Sequence, residues 1–139
     1  IAACAPQTTE ADLDDILNIV AEARTAEIGP VMQRLTAQGM TPVTLCIGAT
    51  RHFRTLHAAA SDPGGAAAGI ARARPPVFGP RRDRMLRQAQ GWGLPKLEMA
   101  LHLLTDTDLL LRSAAQRAAQ MALVERSLIR LAMLAAARR

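Results

Sequence analysis

The 139-residue chain is half apolar, 21% charged and 2% aromatic, which excludes a disordered segment and predicts one soluble domain around a single core. Its 28 alanines and thinly scattered β-branched and aromatic residues exclude a β-rich fold, and no apolar run approaches the ~20 residues of a membrane-spanning helix. The formal charge of +5 is unevenly spread: residues 1–30 carry six acids against Arg24 alone, and residues 72–87 carry six arginines against Asp83.

The opening Ile1-Ala2-Ala3 lacks an initiator methionine, so residues 1–9 are expected to be a frayed remnant of an upstream region and residues 10–139 a single domain. Thr9 with Asp12 reads as a helix cap followed by an acid at the third position, and Leu13, Ile16, Leu17 and Val20 then share one face. A first helix is predicted over 10–23. Thr25 is expected to cap a second helix carrying Ile28, Val31, Met32 and Leu35, which Gly39 stops.

Thr41-Pro42 places a cap before a proline at the first helical position, predicting a third helix through Val43, Ile47, Phe53 and Leu56 to about residue 60. The run from Ser61 to Gly65 breaks it. A short weak helix follows, until Pro75-Pro76 forces extended backbone. Gly79-Pro80 restarts a helix with Met85, Leu86, Ala89 and Trp92, closed by Gly91 and Gly93. Pro95 opens the next, lined by Leu97, Leu101, Leu104 and Leu111 and widened by Leu103 and Leu110. After a polar break at 113–118, Met121, Val124, Leu128, Leu131 and Ala135 mark the last helix. The expected fold is an all-α, compact bundle of about six helices.

Chemistry is sparse in this pattern. The single lysine, Lys96, has no glycine-rich loop before it, so a P-loop is excluded. Cys46, His52, His57 and His102 lack metal-ligand spacing, and the histidines are read as surface or packing residues. Asp106 and Asp108 diverge on a helix, and Ser113 and Ser127 have no neighbouring histidine, so neither carboxylate-pair nor nucleophilic catalysis is expected. Two cysteines, Cys4 and Cys46, make no disulfide framework, and reduced thiols fit the cytoplasm. The remaining signal is basic: Arg72, Arg74, Arg81, Arg82, Arg84 and Arg87 flank a Pro-Pro turn and a helix start, forming a candidate site for anions or an acidic partner.

The order of segments resembles the C-terminal third of the delta subunit of the bacterial DNA polymerase III clamp loader. The resemblance rests on the segment from Leu35 to Pro42, on Arg51-His52-Phe53-Arg54-Thr55-Leu56-His57 and on Arg74-Pro75-Pro76-Val77-Phe78 with Arg81 and Arg82. It continues through 86–92, 97–112 and 122–132, covering about residues 10–137. Gly79 stands where relatives often carry a second aromatic, and Arg112 where they often carry lysine.

The resemblance implies a collar domain that joins delta to the delta-prime and tau or gamma subunits, supporting the loading of the sliding clamp onto primed DNA during replication. It implies no cofactor, no metal, no membrane and no catalysis in this region; a polymerase activity belongs to the holoenzyme, the clamp is gripped by the upstream region, and DNA is met through the complex. A helical nucleic-acid-binding domain using residues 72–87 is the alternative expectation.

Overall fold

The computed structural model describes residues 4–72, 79–113 and 117–136, and among them there are helices and turns but no strand. Seven α-helices follow in order: α1 Cys4–Ala21, α2 Ile28–Ala37, α3 Pro42–Ala60, α4 Ala66–Ala71, α5 Gly79–Trp92, α6 Leu94–Ser113 and α7 Arg117–Ala136. Six are substantial and α4 is a turn and a half, so the chain is an all-α bundle of the expected size. Helix α3 is its central element, packed on α6 along one side and on α4 and α5 along another.

Local chemistry explains the boundaries of α3 and α2. The Thr41 side chain accepts from the Thr44 backbone N–H at 3.1 Å, and Pro42 occupies the first position, where a missing N–H leaves nothing unsatisfied. Helix α2 ends in a Schellman turn: Met40 N–H donates to Leu35 O and Gly39 N–H to Thr36 O, with Gly39 at φ +88. Met40 and Leu35, the two ends of that turn, are both buried.

The core is continuous. Ile16, Val20, Ile28, Leu35, Leu45, Phe53, Leu56, Leu97, Leu104, Leu128 and Leu131 are fully or almost fully withdrawn from water. Phe53 meets the ring of Trp92 edge to face at 4.9 Å, and Trp92 Nε1 donates to Ala21 O at 2.9 Å, which satisfies the one polar atom of a buried indole. Between α6 and α7 the buried hydroxyls of Thr107 and Ser127 pair at 2.7 Å.

Several expectations need correction. Helix α1 starts at Cys4 rather than near residue 10, so Thr9 lies inside it; Pro6 falls in its first turn, where proline is tolerated. Its end is also a Schellman turn, Arg24 N–H to Ile19 O and Ala23 N–H to Val20 O, but the left-handed residue is Ala23 at φ +64. Thr25 caps nothing by its side chain and instead opens a 3-10 turn over Thr25–Glu27. The Arg24 guanidinium spans that turn, donating from Nε and Nη2 to the two Glu27 carboxylate oxygens at 2.7 Å each.

On α3 the buried stripe is Leu45, Ala49, His52, Phe53, Leu56 and Ala59, which turns Val43 and Ile47 to the opposite, exposed side. On α6, Leu110 is exposed and Leu101 and Leu103 are only half-buried, so the apolar face is narrower than its leucine content implies. The break between α6 and α7 overlaps residues 114–116, which lie outside the described ones.

Candidate interaction surface

The arginine-bearing segment begins where α4 ends and continues into α5. Arg74 lies outside the described residues. The other five do not converge on one site. Arg72 Nη1 donates to Asp62 Oδ2 at 3.0 Å, and Arg81 reaches Asp14 at 3.7 Å. Arg84 grips Glu22 at two points, Nε to Oε2 at 2.6 Å and Nη2 to Oε1 at 2.9 Å. Arg82 and Arg87 are exposed and have no ion pair among the described residues. The acidic N-terminal segment and the basic middle therefore meet within the chain, through Asp14 of α1 and Glu22 just after its end.

Glu22 is the hub of a polar network that sequence reading missed. It also accepts from Arg24 Nη1 at 3.0 Å and from Gln88 Nε2 at 3.0 Å. The Arg84 guanidinium above all, with Gln88 and Arg24, pulls its carboxyl down to about 2 against partial burial. Because an ionised carboxylate only accepts, the Gln88 amide nitrogen must face Glu22, and it donates as well to Asn18 Oδ1 at 2.9 Å. Gln88 Oε1 is then left to accept, so His52 Nε2 carries the proton and donates across 2.8 Å. His52 is buried, and burial pushes its pKa below the usual histidine range. This chain of groups ties α1, α3 and α5 together.

A second feature is a groove of about 800 Å³ between α3, α4 and α6. Cys46, Ile47, Ala58 and Leu104 make an apolar part of its lining, and Arg51, Arg54, Arg72 and Arg112 bring cations to it. Arg112 pairs with Asp108 one turn back, at 3.0 Å. Burial pushes the Cys46 thiol up, so the sulfur stays protonated and unreactive. The groove was legible only in part: Arg51 and Arg54 are three apart on the outward side of α3, but that side is known only once Ile47 is seen to face out.

A third feature is apolar. Met99, Leu109 and Leu110 on α6 and Met133 on α7 are each more than half exposed. Met99 and Leu110 project within about 20° of each other at 100° per residue, with Leu103 and Asp106 between them. Among the described residues no cluster of three His, Cys, Asp or Glu could hold a metal ion, and no helix is long and apolar enough to cross a membrane. Asp106 and Asp108 part as their spacing requires, Asp108 toward Arg112. Comparison with family models, with curated proteins and with solved structures gives no match.

Proposed function

We propose that this chain is the subunit-assembly, or collar, domain of the delta subunit of a bacterial DNA polymerase III clamp loader. The observation that carries the reading is the set of large apolar side chains, Met99, Leu109 and Leu110 of α6 and Met133 of α7, presented to solvent by a bundle whose core is already closed. The main polar network of the chain is spent on tying helices to one another, which supports a role in holding polypeptides rather than in catalysis. The ordered resemblance of segments across residues 10–137 supplies the identity of the assembly. Its partners are then the delta-prime and tau or gamma subunits, its place is the cytoplasm, and clamp and DNA are engaged by the whole complex.

Mixing the chain with the collar regions of delta-prime and of tau or gamma, followed by size-exclusion chromatography, tests this. Co-elution that is lost in L109E/L110E supports the reading, and separate elution of the unaltered chains overturns it. Exposed Arg82 and Arg87 on α5 favour a second reading, a helical nucleic-acid-binding domain. Titration with duplex DNA at two salt concentrations tests that one; affinity indifferent to salt removes it.

A further inference from the structure

The groove between α3, α4 and α6 differs in kind from the exposed apolar side chains of α6 and α7. Its outward α3 edge reads Ile47, Arg51, Arg54 and Ala58 at helical spacing, so an apolar residue and two guanidinium groups lie in line. Arg51 and Arg54 are exposed and form no ion pair among the described residues, unlike Arg72 and Arg112, which face Asp62 and Asp108. The groove therefore holds a cationic surplus of two beside an apolar strip.

We infer that this groove is a docking site for an acidic amphipathic helix of a partner protein. Apolar side chains of the helix seat against the exposed Ile47 and Ala58, and flanking carboxylates take the fork donors of Arg51 and Arg54. The α3 edge from Cys46 to Ala58 extends about 18 Å at 1.5 Å per residue, which matches roughly three turns of a docked helix. Nucleic acid suits the groove less well. No aromatic side chain lines it for base stacking, and Asp62 and Asp108 would face the phosphates. The inference stands apart from the clamp-loader reading, because it concerns another face of the bundle and names no subunit.

The test pans a display library of random peptides of about 16 residues on the folded chain, then titrates the enriched peptides by calorimetry. The expected peptides carry at least two Asp or Glu among Leu, Ile, Met or Phe spaced i, i+3 or i+4. Their affinity falls about tenfold or more in R51E/R54E and is unchanged in R82E/R87E. Helical circular dichroism of the double variant shows whether the fold survives, and R51Q/R54Q, which removes charge without adding any, repeats the measurement if it does not. No enrichment, peptides without an acidic excess, or affinity indifferent to both double variants overturns the inference. So does oligo(dT) of about 20 nucleotides that binds more tightly than any peptide and weakens in R51Q/R54Q.

Discussion

Glu22 and Arg84 stand 62 residues apart in the chain and meet as a two-point ion pair, 2.6 and 2.9 Å, that joins the end of α1 to the middle of α5. The glutamate titrates near 2 in the fold against 4.5 when unpaired. A depressed acid stabilises above its unfolded value and loses that contribution as pH falls toward the folded one. Stability from this group is therefore full above pH 4.5 and lost between there and about 2. Discounted for solvent around the pair, E22Q is expected to lower unfolding free energy by about 1–2 kcal/mol at neutral pH, read from urea denaturation. An equal stability at pH 7 and a parallel acid profile for E22Q and the parent would contradict this.

His52 gives a second pH dependence in the same direction but at higher pH. Burial lowers its proton affinity and outweighs the Gln88 hydrogen bond, Asp14 and Glu22, which act the other way, while Arg81 adds to burial. The buried neutral imidazole stabilises above the ordinary value of 6.5, and protonation of the unfolded chain erodes this as pH drops below it. Thermal melts of H52Q are expected to vary less than those of the parent between pH 6.5 and 5, since only the parent carries an imidazole at position 52. Parallel curves over that interval would remove His52 as the cause.

Ala23 and Gly39 occupy equivalent left-handed positions at the ends of α1 and α2, φ +64 and φ +88. Only glycine adopts this region without steric penalty, which for alanine is about 1 kcal/mol. A23G is expected to raise the melting temperature and G39A to lower it, each by an amount equivalent to about 0.5–1 kcal/mol. Nothing lies within 4 Å of a Cβ at Gly39, so its loss isolates backbone conformation from crowding.

Gly69 presents the opposite case. A Cβ there would lie 2.4 Å from Ala59 Cα and 2.7 Å from Ala59 O, so α4 rests directly on the α3 backbone. G69A forces the two helices apart and is expected to cost about 1–3 kcal/mol, with faster hydrogen exchange concentrated in α4 and the end of α3. Unchanged stability would mean that α4 shifts freely on its neighbour.

How far the sequence foretold this structure depends on the range of the interaction. The start of α3 was plain because Thr41 and Pro42 act within one turn, and the stop at Gly39 for the same reason. The buried positions of α7 followed from periodicity, Met121 through Ala135. The end of α1 was obscured because alanine holds a place that normally announces itself as glycine. The charge blocks were visible, but their mutual pairing through Asp14, Glu22, Arg81 and Arg84 depends on α5 coming within side-chain reach of α1 and the turn after it, which no local pattern encodes. Gln88, the link between Glu22 and His52, carries no sequence mark at all, since an amide on a helix is ordinarily a surface residue.

Trp92 is the single indole of a chain that has no tyrosine. It touches Phe53 of α3, belongs to α5 and hydrogen-bonds the last residue of α1, so its light emission originates at the junction of three helices. The molecule thus contains its own optical gauge: a red shift marks water reaching that junction, and no dye or label has to be attached to see it.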